Sequence, residues 1–509
     1  MSRPWFNVLL VVILGLNLIL RLLPAQGNNF YFTMDQGNDA VHVREILVRH
    51  HLPLLGPETS IFGLYAGPLW YYFIAIGYWL FAGHPFGAVF MLILLSTVTL
   101  AIIVTRIARE VSPKYGVIVG FVLLTSWWFY DPSRYAFNPF PMLTLATVLI
   151  FWLGDSFRGQ WRKYLFSAGI VGLAFHTDIA SALALMLFYL LVSGILLVKH
   201  RIKRAHFLTA LAIISLFLLP HFMSEIRTNF SQFHTLVKAW RDPSGVFSQG
   251  QLKEVSNRFY IIISRSTYRQ TPEIGVLLFC LALIQVFRRR STTTASTTFV
   301  RYFIILTLLL FATSWLFFIT SSGWRDWQTS FLSPLVFLSF LLALTQIPKP
   351  IATVLLAMSL YSHVRIFAIR YAQNFLPTDD PSLLVNEISA VDWVYQKANG
   401  DGFTVYAYLP SVYDYPYQYL FWWHGLEYYH YLPCEYASYP GSPKLFLPNS
   451  QSYSQPTIPC TNNFRFLIIE PDKNTTTQVT WFNAITQNTA LIEETNIGKI
   501  KVQKRLISQ

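Results

Sequence analysis

Uncharged apolar runs recur along the first three quarters of the chain and then stop. Residues 5–20 contain no Asp, Glu, Lys or Arg, and none of these occurs between Glu58 and Arg106. The second stretch is long enough for two membrane crossings, with a break at Gly83-His84-Pro85. Further runs lie at 115–130, 136–153, 164–178, 179–198, 207–223, 273–287, 302–320, 327–346 and 350–369. A crossing helix needs about 20 apolar residues, so the pattern predicts about twelve spans, with eleven to thirteen allowed. No small-residue cleavage site follows the first run, which is read as a retained helix. From Asn374 onward the pattern changes to short alternating stretches, FTVYAYLP and FRFLIIEP, beside the helix-like VNEISAVDWVYQKANG. Such alternation marks strands. The expected fold is an α-helical polytopic membrane protein over residues 1–373, followed by a small soluble α/β domain over 374–509.

Composition supports the membrane reading. Of 509 residues, 53% are hydrophobic and 12% charged, with mean hydropathy +0.41, against roughly 25% charged in an average soluble domain. Three cysteines exclude a disulfide scaffold, although Cys434 and Cys460 can pair if their region faces an oxidising compartment. The net charge of +13 does not indicate nucleic acid, because the basic residues are divided among short loops rather than gathered in a stripe.

That division gives an orientation. Basic clusters at Arg106/Arg109/Lys114, Arg158/Arg162/Lys163, Lys199/Arg201/Lys203/Arg204 and Arg288/Arg289/Arg290/Arg301 are placed in the cytosol by the positive-inside rule. Residues 375–509, with 8 Lys or Arg against 12 Asp or Glu, fall on the opposite side. So do a first external loop 26–60, the segment 131–137, a long loop 224–272 and the turn 321–326. Counting single spans backward nevertheless puts residues 26–60 in the cytosol, whereas a cytosolic Arg3 puts them outside. Parity must therefore change between Ile61 and Thr105, through a half-span or re-entrant piece near Gly67-Pro68. The low Cys count and the lack of eukaryotic targeting signals suit a bacterial plasma (inner) membrane, with the C-terminal domain extracytoplasmic.

Just after the first apolar run the chain reads FTMDQGNDAVHVREIL, residues 32–47. As a helix, this puts Asp35 and Asp39 on one face with His42 a turn further on, and HHLPLLGP stops it. Downstream, GLYAGPLWYY leads into the next apolar run and SRYAFNPFPM into another. In these features the sequence resembles the GT-C class of polytopic glycosyltransferases, which contains protein O-mannosyltransferases and lipid A aminoarabinose transferases. In that class an Asp, often followed by Glu, opens the first external loop and leads into an amphipathic helix ending in an A-R-E-x-L-like motif. A P-P-L-x-Y motif then starts the second span. This chain has Asp35-Gln36, then Val43-Arg44-Glu45-Ile46-Leu47, then Gly67-Pro68-Leu69-Trp70-Tyr71-Tyr72. Gln36 stands where Glu is usual, and Asp39 offers a carboxylate one turn later.

The resemblance implies an inverting transferase, with an external reaction centre, that moves a sugar from a polyprenyl-phosphate donor to a glycan, lipid or protein hydroxyl. Such a reaction needs a base for the acceptor proton, and Asp35 is the expected catalytic residue. It also needs cations at the lipid phosphate, where arginine binds bidentately and stays charged. Arg44, Arg134 and Arg325 are the candidates, with Asp39, Tyr71, Asn138, His176 and Trp324 as further donor-binding residues. Asp35, Asp39 and His42 are also a candidate set for a divalent metal. Simpler readings stand beside these. Asp35 and Asp39 can merely favour a helix N-terminus, Arg134 can snorkel, and His176 with Asp178 can form a polar turn between spans. Trp324-Arg325-Asp326 can anchor an interfacial turn. Residues 405–431, with nine Tyr and two Trp, suit either a headgroup layer or an acceptor surface. A transporter would also explain many spans, though no repeated halves are visible, and a non-catalytic assembly protein is a further alternative.

Overall fold

A computed structural model describes residues 3–241, 249–288, 294–320, 325–376, 378–411, 413–441, 447–449, 453, 457–460 and 463–507. Trp324, Arg289, Arg290 and part of the long loop, all singled out in the sequence, lie outside the described residues. The helices are α1 Arg3–Ala25, α2 Met34–Arg49, α3 Leu69–Leu80, α4 Phe86–Glu110, α5 Pro113–Leu124, α6 Trp127–Tyr130, α7 Met142–Phe157, α8 Trp161–Ala174, α9 Ile179–Val198 and α10 Arg204–Phe217. They continue as α11 Leu219–Arg227, α12 Ser231–Arg241, α13 Gln249–Thr267, α14 Pro272–Arg288, α15 Ala295–Thr320, α16 Leu332–Leu344, α17 Lys349–Gln373, α18 Leu384–Ala398, α19 Tyr415–His424 and α20 Thr475–Thr486. Every apolar run of the sequence coincides with a helix. The count of twelve spans is not confirmed, because six described helices are long and apolar enough to cross a membrane. The number rises to eight if α10 with α11 (bent 54°) and α13 with α14 (bent 75°) each form one span.

The parity conflict resolves at α3. Its first turn meets α2, where the Trp70 indole N–H donates to Asp39 Oδ2 at 2.7 Å. Just past its last turn, the carbonyls of Ala82 and Gly83 accept from the Trp423 indole (2.9 Å) and the Tyr419 hydroxyl (2.6 Å), both on α19. Both ends of α3 thus touch the same layer, and at 12 residues it would reach only about 18 Å. It lies in that layer instead of crossing, so residues 26–85 stay at one end of the bundle and α4 makes the next crossing.

The two ends differ in chemistry. At one, Arg106 pairs with Asp155 and with Glu110 (3.2 Å), and Arg158 pairs with Glu110 (2.8 Å). This joins α4 to α7 beside the basic clusters. At the other, buried Arg21 near the end of α1 donates from Nε to Ser133 Oγ (2.8 Å) and from Nη2 to the Phe129 carbonyl (3.1 Å). A buried guanidinium is tolerable only with such partners.

The C-terminal region packs on this second end. Its sheet has the order β2-β1-β3-β5-β4, with β1 Thr404–Tyr408, β2 Glu435–Ala437, β3 Phe464–Ile469, β4 Thr489–Ile497 and β5 Ile500–Ile507. β1 runs parallel to β2 and β3, while β5 is antiparallel to β3 and β4. Strands β1 and β3 are buried along most of their length, as strands covered on both faces are. Cys434 and Cys460 form a disulfide, with Cα atoms 5.7 Å apart. α19 lies directly on α2, and Gly37 makes this possible: a Cβ there would sit 2.4 Å from Pro416 N.

Within this region Glu387 on α18 and Glu470 at the end of β3 are both buried. Tyr417 donates to Glu470 Oε1 at 3.1 Å, and Glu387 Oε2 has no partner. Burial, then the neighbouring carboxylates, raises both pKa values, that of Glu470 to about 8. The folded state therefore holds protons that the unfolded chain releases. The stabilisation is complete below the ordinary Glu value of 4.5 and is lost as pH rises toward about 8. Thermal melts of the full chain between those pH values should fall in midpoint, and Glu470→Gln should flatten the slope.

Candidate active site

The start of α2 is fixed by a short network. The Thr33 backbone N–H and hydroxyl both donate to Gln36 Oε1 (2.9 and 2.6 Å), and Gln36 Nε2 donates to the Ala136 carbonyl (2.6 Å). This closes a capping box and ties α2 to the segment between α6 and α7. The amide explains the departure from Asp-Glu, because a carboxylate could cap Thr33 but has no proton to give Ala136. Asp35, next to it, is exposed. It is nevertheless enclosed by protein at longer range, and burial raises its pKa above the usual carboxylate value. An accessible carboxylate in a recess is a stronger base than one in open water.

The other candidates of α2 are occupied. Asp39 is buried under Trp70. His42 stacks on buried Tyr71, with centroids 5.0 Å apart, and its Nδ1 faces the Asn38 carbonyl at 2.9 Å. Arg44 is buried against Tyr453 (3.7 Å to the ring centre) and Trp422 (5.3 Å), joining α2 to the C-terminal region. Asp35, Asp39 and His42 do not converge, and among the described residues no three His, Cys, Asp or Glu side chains form a ligand set.

Beyond α2, Asn138 Nδ2 donates to the Thr177 carbonyl at 2.5 Å, and Asp178 Oδ2 caps α9 by accepting from Ser181 N at 2.9 Å. His176 is buried, with Nε2 2.9 Å from the Phe217 carbonyl. These form a polar turn between α8 and α9. Arg325 is exposed, and its backbone N–H donates to Gln328 Oε1 at 2.9 Å. Of the sequence-derived candidates, Asp35 and Arg134 both reach open space and both act electrostatically on Tyr135.

Arg134 lines a cavity of about 350 Å³ with Tyr31, Trp127, Arg370, Gln373 and Asn374. Tyr31 and Tyr135 meet edge-to-face at 5.7 Å, and Tyr135 lies within the electrostatic reach of Asp35. This places the cavity beside the first turn of α2. Asp131 sits among Arg134, Arg370 and Arg269; burial raises its pKa, and the three cations oppose that rise. Arg269, in the break between α13 and α14, lies over the Trp128 ring at 4.5 Å, and its Nη1 is buried with no partner. The side chain of Gln270 is likewise buried and unpartnered at both ends. The lining residue Tyr31 hydrogen-bonds a second carboxylate, Asp380. Three guanidiniums to two carboxylates, with donors left unsatisfied, leave the region net positive and suited to an anion.

Arg269 and Arg370 were absent from the sequence candidates. Arg269 lies three residues before Pro272 and an apolar run, and Arg370 follows the last one, so both stand at span boundaries. That position was their one readable signal.

Residues 66–223 match the sequence model of the dolichyl-phosphate-mannose-protein mannosyltransferases. That range includes Tyr71, Arg134, Asn138 and His176 and begins after Asp35. No curated protein sequence matches the chain significantly. The fold is shared with ArnT from Cupriavidus metallidurans. In complex with undecaprenyl phosphate it superposes with a TM-score of 0.56 at 11% identity, covering 99% of this chain and 98% of that one. Its apo state gives 0.55 at 12% identity, covering 98% and 97%. The GT-C resemblance is thus borne out, and the chain is a multi-pass membrane protein of that fold.

His176 yields a test of this geometry. A Cβ on Gly67 would lie 2.0 Å from His176 Nδ1, so Gly67→Ala should displace the imidazole and cost about 1–3 kcal/mol. Thermal unfolding in detergent checks this, and Gly194→Ala, where the new methyl meets nothing, serves as the control.

Proposed function

We propose that the chain is a membrane glycosyltransferase. It would move a sugar from a polyprenyl-phosphate donor to an acceptor hydroxyl at the end of the bundle that carries the C-terminal sheet. One observation carries the reading: a cavity lined by Arg134 and Arg370, with Arg269 near their shared counter-ion Asp131, and separated from the accessible Asp35 by the Tyr31–Tyr135 ring pair. The family matched over residues 66–223 is described by a lipid-phosphate sugar, and the ArnT structure of the same fold binds undecaprenyl phosphate. Both support a lipid-phosphate donor. The basic clusters at the opposite end support an extracytoplasmic site in the plasma membrane.

In this mechanism the acceptor oxygen attacks the anomeric carbon as its proton passes to the Asp35 carboxylate. The bond between that carbon and the phosphate oxygen breaks, and the phosphate leaves with the electron pair. Arg134, Arg269 and Arg370 take up the charge that develops on it. A single displacement inverts the anomeric configuration. Arg44, Asp39 and Gln36 hold α2 so that Asp35 faces the reacting centre. Arg325 does not line the cavity.

Asp35→Asn should lower transfer by about 10²-fold or more in kcat while leaving donor binding near wild type. Retained turnover with a labelled polyprenyl-phosphate sugar in membranes would refute Asp35 as the base. Arg269→Ala should reduce kcat/KM for the donor by about 10²–10³-fold, whereas exposed Arg325→Ala should change it by less than about twofold. Equal, small effects of both would remove the anion site from the reaction.

A further inference from the structure

α2 has a second flank, opposite in character to the cationic cavity. Tyr415-Pro416 presses on Gly37, which holds the start of α19 against the first turn of α2, two residues from Asp35. There Tyr413 and Tyr415 stack, with centroids 5.6 Å apart and planes inclined 23°, and Tyr413 is 41% exposed. The facing rim is the loop between α2 and α3. Glu58 and Tyr65 form an isolated bridge in it, and the Gly63 N–H donates to Glu58 Oε1 at 2.6 Å. The Tyr65 N–H donates to Gln232 Oε1 at 2.8 Å, which pins the loop to α12. The floor is His42 on Tyr71, with Asn38 one turn from Asp35. Tyr71 lies within electrostatic reach of both Tyr65 and Tyr415, which brings the loop and the start of α19 to the same side of α2. The charged groups acting on Tyr415 are Glu58 and Asp414, both acids.

We infer that this flank is the acceptor subsite and that the acceptor is an uncharged carbohydrate. The inference rests on the glycosyl-transfer reading of Asp35. Flat phenol rings present apolar faces to the C–H faces of a sugar and hydroxyls to its edges. Asn38, which hydrogen-bonds Tyr71, and Glu58, which accepts from Gly63 and Tyr65, keep a second amide proton and further lone pairs of the kind that select polyols. Glu58 and Asp414 repel a phosphorylated or sulfated acceptor, so the anionic donor and the acceptor would be sorted to opposite sides of one helix by charge.

The full chain in lipid nanodiscs can be tested by saturation-transfer NMR with neutral linear oligosaccharides of mannose, glucose and arabinose, with their phosphorylated counterparts, and with a serine-containing peptide. At least one neutral oligosaccharide should bind. Tyr413→Ala and Tyr415→Ala should each weaken it roughly tenfold, and Tyr415→Phe, which keeps the ring, should retain it. Glu58→Gln should relax the exclusion of phosphorylated sugars. Tighter binding of the phosphorylated forms or of the peptide, no binding of any neutral sugar, or unchanged affinity in alanine variants with wild-type melts would overturn the inference. Undecaprenyl phosphate titrated into the same samples reads the donor side separately. Its failure to bind would sink the transferase reading and leave the sugar measurement standing.

Discussion

The site depends on the clamping of a single amphipathic helix. α2 carries the proposed base and spans no membrane; its apolar face, with Ala40, Val41 and Val43 fully buried, packs into the core, and polar and aromatic neighbours fix it further. Gln36 ties its start to the segment before α7, Trp70 holds its middle through Asp39, and Tyr453 and Trp422 enclose Arg44 near its end. Gly37 lets α19 come within backbone contact. Each contact is polar or aromatic and largely buried, where an unpaired partner is costly. The first turn is therefore held in one place, while Asp35 itself remains open.

The surroundings of that turn divide by charge. On one side lie guanidiniums with too few carboxylates, and on the other tyrosines with acids. A reaction that separates an anionic lipid from a neutral acceptor needs both environments within one helix diameter. The small thickness of α2 supplies that proximity without requiring the two substrates to share a pocket.

Much of the fold was legible because membrane helices and covered strands leave strong patterns. Uncharged runs marked the helices, and the switch at Asn374 marked the sheet. Span count was less readable because length alone cannot separate a crossing from α3, which is as apolar as its neighbours but held at both ends by one layer. Asp35 was legible from its place after the first run, and Arg134 from the motif around it. Arg269 and Arg370 were not, because their meaning comes from meeting Trp128, Trp127 and Asp131 across more than a hundred residues of sequence. Asp39, Arg44 and His176 showed the converse. Their chemistry suggested ligands, and their neighbours satisfy most of it internally.

The disulfide between Cys434 and Cys460 brackets Tyr453, and Tyr453 covers Arg44 on the helix that presents Asp35. One covalent link thus closes the stretch of chain that supplies the ring over Arg44. A freshly inserted chain with both thiols reduced would have its bundle in place but a loosened grip on α2. For the proposed transferase, thiol oxidation would then be a late step of assembly, completing the grip on α2 after the bundle has formed.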